Sequence, residues 1–332
     1  MRIAVDAMGG DYAPDEIVSG CLLALREDPE LQVILVGQKE TVEQVLAEKA
    51  GAELEAVRPR ITVHHAEHVV SANDNMRAVL KKKQDNSIVK SVAMVQAEQA
   101  DACVSAGSTG ALVGAAIYIL GRLKGVKRPG VGVPLPSRKG FCYVIDLGSN
   151  IACKAIHLYQ YAEMASIYCE RILKVPNPRV GLINVGTERR KGTHKIREAN
   201  RMLKKSGLNY IGFVEGHDVF IGDCDIAVCD GFVGNVLLKG IEGFSVAIIR
   251  SLLAELEQMA SGLGTEKGAE VLKKFKKKTD WTTYGGAPLL GVDGVCIVAH
   301  GKSKAVSIAN AIKTGSICAA QKINSLILEK LA

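Results

Sequence analysis

Six short stretches hold most of the residues able to do chemistry, and each follows an apolar run. They are Asp6–Asp11 (DAMGGD), Ser105–Ala111 (SAGSTGA), Asp146–Asn150 (DLGSN), Asn184–Gly192 (NVGTERRKG), Asp230–Asn235 (DGFVGN) and Ala299–Gly301 (AHG). Glycines let backbone N–H groups approach a ligand, and Asn, Ser and Thr add polar side chains. The fourth stretch also places Glu188, Arg189, Arg190 and Lys191 just before Gly192. A strand that breaks into a cation-rich glycine loop offers an anion both N–H groups and positive charge. Asp6, Gly9, Gly10 and Asp11 are candidate substrate- or phosphate-binding residues, as are Ser105, Gly107, Ser108, Thr109 and Gly110. Asp146, Gly148 and Asn150 join them, with Asn184, Gly186, Glu188 and Gly192, and finally Asp230, Gly231 and Gly234. The expectation is that the six loops converge on one anionic substrate, because open parallel sheets bind ligands outside the carboxyl ends of their strands.

The elements that must position these loops are short and apolar on both faces. Strands are expected at Ile3–Ala7, Gln32–Val36, Ile61–His65, Ala102–Ala106, Phe141–Ile145, Val180–Val185, Asn209–Val214, Ile226–Cys229 and Val295–Ala299. Asp15–Arg26 and Thr41–Ala50 carry apolar residues at helical period, and Arg128-Pro129 and Asn177-Pro178 mark loops entering strands. Strand alternating with helix predicts an α/β fold, a mainly parallel sheet with helices on both faces. The chain reads as a single α/β domain over 1–332, with room for two lobes around a cleft.

Composition sets limits. The chain has 332 residues, 48% hydrophobic and 23% charged, which suits one large α/β core. Only 5% is aromatic, which argues against stacking platforms and hence against a nucleic-acid partner. A net charge of +7 suits an acidic partner, an anionic substrate or an anionic membrane surface. Nine cysteines with no C-x-x-C pair, several of them in apolar runs (Cys103, Cys142, Cys229, Cys296), indicate reduced buried thiols of a cytosolic protein. The uncharged run Ala102–Gly121 is long enough to suggest a membrane span. Its Ser105–Gly110 turn instead predicts a buried strand, a loop and the start of a helix.

A different element occupies the C-terminal third. An apolar stripe at Leu237, Ile241, Phe244, Ile248, Leu252, Leu256 and Met259 steps by three and four, ending at Ser261-Gly-Leu-Gly264. A lysine-rich helix is expected to follow from Glu266 to about Lys278, where six Lys and two Glu stand. The stretch 236–280 therefore reads as a helical hairpin with Leu263 at its tip. It suits a dimer interface, or a tip entering an anionic membrane surface with lysines at the headgroups.

Familiar signatures are missing. No G-x-G-x-x-G follows the first strand, and Gly186–Thr193 has its Lys before the second Gly, so the Walker order fails. No G-x-S-x-G elbow exists. His64, His65 and His68 lack the H-E-x-x-H order and read as a polar strand end rather than a metal site.

Taken together, VDAMGGD (Val5–Asp11), SAGSTGA, LGSN (Leu147–Asn150), INVGTERRKG (Ile183–Gly192), CDGFVGNVLLK (Cys229–Lys239), YGGAPLLG (Tyr284–Gly291) and AHG form an ordered set. In that order the sequence resembles the bacterial phosphate acyltransferase (PlsX) family over nearly its whole length. Ser108 and Ser149 stand where that family usually has Asn and Ala. The resemblance implies transfer of a long-chain fatty acyl group from acyl carrier protein to inorganic phosphate. The resulting acyl phosphate would feed a membrane glycerol-3-phosphate acyltransferase in phospholipid synthesis. It further implies a fold related to isocitrate and isopropylmalate dehydrogenases and to phosphotransacetylase. A homodimer, no required metal or organic cofactor, and a cytoplasmic enzyme peripherally attached to the inner membrane face through the hairpin are implied as well. A small-acyl phosphotransacetylase or a dehydrogenase on the same fold is the alternative, and a membrane-surface scaffold is the non-enzymatic one.

Phosphate is a charged, strongly hydrated nucleophile that must be stripped of water and aimed at a thioester carbonyl. Lys191 is the candidate cation for this, with Arg189 and Arg190 as weaker ones. Asn235 is a candidate oxyanion donor or, equally, the N-cap of the long helix. A thiolate leaves without a strong acid, so His300 is an optional catalytic residue. Asp6, Asp11 and Asp230 would repel phosphate directly and are expected to orient Lys191 or cap loops.

Overall fold

Runs that are apolar on both faces are stable only inside a sheet covered on both sides. The computed structural model describes residues 1–71, 74, 79–80, 85–260 and 285–331. In chain order the strands are β1 (Arg2–Asp6), β2 (Gln32–Gly37), β3 (Ile61–His65), β4 (Ala102–Ser105), β5 (Gly130–Ser137) and β6 (Gly140–Ile145). They continue as β7 (Val180–Ile183), β8 (Tyr210–Val214), β9 (Ile226–Val228), β10 (Ala287–Leu290) and β11 (Cys296–Val298). The longer helices are α1 (Asp15–Glu27), α2 (Lys39–Ala50), α3 (Ser87–Gln96), α4 (Thr109–Ile119) and α5 (Ala155–Arg171). After them come α6 (His194–Leu203), α7 (Gly231–Ala260), α8 (Ala305–Ala320) and α9 (Ile323–Leu331).

All nine expected strands form, with ends within two residues of expectation, and the uncharged run from Ala102 becomes β4 and α4. Side chains alternate across the sheet as strand geometry requires. Ile3 and Val5 pack against α1 and α8, while Ala4 faces a second core. That second core also takes Cys103, Cys142, Val144 and Ala227, so it spans the sheet from end to end. A third core gathers Tyr143, Ile145, Val180 and Leu182 against α5 and α6. All nine cysteines are buried free thiols.

Two strands were not expected, and they change the topology. The eleven strands bond in the order β3-β2-β1-β4-β11-β10-β5-β6-β9-β7-β8. β10 pairs antiparallel with both β11 and β5, and β5 pairs antiparallel with β6. The other contacts are parallel. The sheet is therefore two parallel halves, β3-β2-β1-β4-β11 and β6-β9-β7-β8, running in opposite senses and joined by β10 and β5. Glycine and proline in β5 read as turn punctuation, yet a Cβ at Gly132 would lie 2.5 Å from the Tyr143 hydroxyl. Its glycine is there to let that buried ring in.

The apolar stripe of the C-terminal third lies on α7, which starts at Gly231. Leu237, Leu238 and Ile241 pack on the sheet-wide core, whereas Phe244, Ile248 and Leu252 are exposed. The window Gly231–Ile248 has a mean hydropathy of 1.3 and is 11% buried, long and apolar enough to cross a membrane by composition alone. Leu263 and the lysine-rich helix expected after it lie outside the described residues.

Candidate active site

Because strand direction reverses at the middle of the sheet, the six loops form two clusters instead of one. The first follows β1, β4 and β11. Asp6 is fully buried; its Oδ2 accepts from the Ser105 hydroxyl at 2.6 Å and its Oδ1 from the Met8 N–H at 3.2 Å. Ser105 Oγ in turn accepts from the Gly107 N–H at 3.0 Å. Burial raises the Asp6 carboxyl above its usual range, against the bonds from Ser105, Ser87, Met8 and Gly9 that lower it. Gly10 packs beside Gly301, and the Asp11 N–H donates to the Gly301 carbonyl at 2.7 Å. Ser108 caps α4 by accepting from the Ala111 N–H at 3.3 Å, so Thr109 and Gly110 become its first turn.

His300 closes this cluster. Its Nδ1 accepts from the Lys302 N–H at 3.1 Å, and its Nε2 lies 3.5 Å from Glu242 Oε1. Burial, then Lys239 and Lys302, lower its pKa, while Glu242 and Asp11 raise it by less. A downward shift favours the neutral imidazole. With Nδ1 accepting, its proton sits on Nε2, toward Glu242.

The second cluster follows β6, β7 and β9. Asp146 accepts from the Val131, Ser149 and Asn150 N–H groups and from the Ser149 hydroxyl, the last at 2.7 Å. Burial raises this carboxyl too. Asn150 ties the loop down, its Nδ2 donating to the Pro129 carbonyl at 2.6 Å and its carbonyl accepting from the Gly231 N–H at 2.9 Å. Gly234 is the tightest point, since a Cβ there would lie 1.9 Å from the Asp146 carbonyl oxygen. Across this contact, Gly148 lies against Asn235, which is exposed.

Two expectations about this cluster are corrected. Asp230, not Asn235, caps α7: its Oδ1 accepts from the Val233 N–H at 2.9 Å, leaving Asn235 one turn inside the helix. Nor do Asp6, Asp11 or Asp230 orient Lys191. Its Nζ lies 2.7 Å from Glu188 Oε1, folded back over Gly186, and Glu188 raises its pKa. Asp230 Oδ2 instead takes Lys195, from the first turn of α6, at 2.6 Å. Asn184 braces the loop by donating to the Gly186 carbonyl at 2.9 Å, and its side chain abuts Gly192. Arg189 and Arg190 are exposed and share a concavity of about 590 Å³ with Arg197.

Lys195 and Glu242 are the residues that sequence reasoning missed. Lys195 stands among ordinary helix-surface charges and Glu242 in the middle of an apolar stripe, so neither has a local signal. Helix α7 links the two clusters: Gly231 starts it beside Asn150, and Glu242 meets His300. At 1.5 Å rise per residue the clusters sit about 16 Å apart along its axis. Their chemistry differs: the first offers small loops, hydroxyls and a neutral His, the second two lysines beside the N-terminus of a helix. Among the described residues no group of three or more His, Cys, Asp and Glu is arranged to hold a metal.

Residues 1–326 match the family described as "Fatty acid synthesis protein". The phosphate acyltransferase of Desulforamulus reducens is 41% identical over 332 residues, covering 100% of this chain and 97% of that one. In solved structures the fold is similar to a phosphotransacetylase from Streptococcus pyogenes, with TM-score 0.64 and 19% identity over 96% of this chain and 94% of that one. It is also similar to a 4-hydroxythreonine-4-phosphate dehydrogenase from Klebsiella pneumoniae, with TM-score 0.52 and 14% identity over 96% and 98%.

Proposed function

The chain belongs to the fatty acid synthesis protein family, and on that premise we propose that it is an acyltransferase moving a fatty acyl group from acyl carrier protein to inorganic phosphate. The acyl phosphate product would pass to a membrane glycerol-3-phosphate acyltransferase for phospholipid synthesis. The relatives' name, phosphate acyltransferase, supports acyl transfer to phosphate. The observation that carries the reading is the second cluster, where Lys191 and the N-terminus of α7 stand on adjacent strand ends.

In this reading phosphate lies between Lys191 and the first turn of α7, whose dipole favours negative charge. A phosphate oxygen attacks the thioester carbonyl carbon, the oxyanion takes a hydrogen bond from Asn235, and the C–S bond breaks to release the thiolate. Removing one such donor typically costs about 100- to 1,000-fold in rate. The first cluster, with Ser105, Gly107 and His300, flanks the donor. A thiolate leaves without a strong acid, so the neutral His300 is not needed as a proton donor.

Two further parts of the reading rest on α7. Its exposed Phe232, Val236, Phe244, Val246, Ile248 and Leu252 suit a homodimer interface. The segment beyond it, with Leu263 and the lysines, suits peripheral attachment of a cytoplasmic enzyme to the inner face of an anionic membrane. The deciding experiment is phosphate-dependent thiol release from long-chain acyl-acyl carrier protein by purified protein. Release that ignores phosphate, or turnover of acetyl-CoA alone, contradicts it.

A further inference from the structure

Outside both clusters, the loop before β5 and the start of α5 form a cationic hollow. Two adjoining concavities of about 580 and 590 Å³ share Ile117, Arg122 and Lys127. Lys124, Arg128 and Lys154 complete the charges, and no carboxylate lines either one. None of these five cations has a carboxylate within ion-pair distance among the described residues. A surface that gathers five like charges without counter-charge carries a standing cost, which an acidic partner would relieve.

The hollow is also built to keep its shape. Arg122 Nη1 donates to the Lys127 carbonyl at 2.6 Å, closing the loop on itself. Gln160 of α5 accepts from the Lys127 N–H at 2.8 Å and donates to the Gly125 carbonyl at 2.9 Å, bolting the same loop to the helix. At its floor, burial and then Arg128 and Lys154 lower the pKa of His157, whose Nδ1 accepts from the Lys154 N–H.

Its position connects it to the chemistry. Arg128 precedes Pro129, whose carbonyl holds Asn150 of the second cluster at 2.6 Å. Antiparallel pairing of β5 with β6 puts this loop at the same sheet edge as Asp146. Two exposed apolar residues stand nearby in sequence: Tyr118, 63% exposed, next to Ile117, and Ile151, 71% exposed, between Asn150 and Lys154. Arginine and exposed aromatic residues are enriched at protein–protein contacts, and the lysines add charge that steers an acidic partner. A lone phosphate needs neither two concavities nor five cations, and a membrane surface meets convex features more readily than hollows.

We propose that this hollow docks the carboxylate-rich surface of the acyl carrier protein, presenting its thioester to the second cluster past Pro129 and Asn150. The proposal rests on the acyl donor named above. Complementary charge of this kind raises the encounter rate and fixes the partner's orientation.

The test is the combined variant Lys124→Glu, Lys127→Glu, Lys154→Glu, with Lys→Ala at the same positions should charge reversal prevent folding. Thiol release is measured with acyl-acyl carrier protein and with acyl-pantetheine, which has no protein surface. The expected result is a KM for the carrier substrate raised at least about tenfold, with loss of the parent's salt dependence. Turnover of acyl-pantetheine stays within about twofold of the parent. The proposal is overturned if carrier KM is unchanged, if both substrates suffer equally, or if light scattering shows that the variant has lost its oligomeric state. Loss of cosedimentation with anionic vesicles at unchanged carrier KM overturns it in favour of a membrane face. Failure of the acyl-donor reading is separable, because the parent itself would then not cleave acyl-acyl carrier protein in the presence of phosphate.

Discussion

Gly234→Ala tests whether the first turn of α7 is a positioned catalytic element. The new Cβ would stand 1.9 Å from the Asp146 carbonyl oxygen and 3.1 Å from Cys229 Sγ. A relaxed carbon–oxygen contact needs about 3.3 Å, so the turn must move by roughly 1.4 Å. The obstacle is backbone at the end of β6, where the Asp146 N–H donates to the Cys229 carbonyl at 3.1 Å, so it cannot swing aside as a side chain could. Overpacking of this kind costs about 1–3 kcal/mol, offset by about 1 kcal/mol from removing a helical glycine. The net loss is small, a few °C in Tm. Displacing Asn235 and the helix N–H groups by about 1 Å, however, can cost on the order of 100-fold in rate.

The assay is phosphate-dependent thiol release beside a thermal melt. Gly240→Ala on the same helix is the control, because nothing lies within 4 Å of its Cβ position. That change should stabilise by about 0.5–1 kcal/mol and leave turnover alone. A folded Gly234→Ala protein with parental kcat/KM would refute the reasoning. So would an equal loss in both variants, which would trace the effect to the helix as a whole.

Three further outcomes follow from the same geometry. Lys191→Ala should abolish acyl-phosphate formation with Tm near the parent's, and near-normal thiol release would remove Lys191 from the mechanism. Phe244→Glu should convert a dimer to monomer in light scattering, since Phe244 is 68% exposed on a face that reads as an interface; an unchanged mass would move the interface elsewhere. Burial pushes the Asp225 carboxyl up, but bonds from Arg179 and its charge hold it below the usual carboxylate range. Such a group stabilises above its unfolded pKa of about 3.9 and loses that contribution as pH falls through the folded value. Asp225→Asn should therefore cost about 1.5–3 kcal/mol at pH 7 in urea unfolding, and the gap should close in acid; a constant gap contradicts it.

The sequence made nine strands legible because each is an apolar run of a few residues ended by Gly, Asn, Asp or Ser. It hid β5 and β10 for the same reason, since Gly130, Gly132, Pro134, Pro136 and Pro288 punctuate like turns. Those two strands carry the antiparallel pairings, so the reversal of direction was hidden with them. Six loops that look equivalent along the chain therefore sort into two groups in space. Pairings were legible only when local: Glu188 and Lys191 stand three residues apart, whereas Lys195 and Asp230 meet across 35 residues. The cap of α7 shows the limit in small, because Asp230 and Asn235 both suit a cap and only the helix start decides between them.

Acids around a proposed anion site need a physical account, and their partners supply it. Asp6 and Asp146 are buried at the ends of β1 and β6, and each turns its oxygens inward to hold the loop that follows it. Burial raises both carboxyls, while the hydrogen bonds they accept hold their oxygens inside the protein and away from the proposed site. Asp230 is spent on the Val233 N–H and on Lys195. The positive end of α7 and Lys191, the latter paired with the exposed Glu188, are left facing outward. The two lysines then differ in kind. Lys195 meets an Asp230 side chain that is only 9% exposed, where screening is weak and the pair is held. Lys191 meets Glu188 with both side chains about half exposed, where an ion pair is weak and easily exchanged. An arriving phosphate, with more charge than a carboxylate, can draw Lys191 off Glu188 while Lys195 keeps the start of α7 fixed. In the proposed reaction, then, Lys191 would move with the substrate, and Lys195 would hold the frame it moves against.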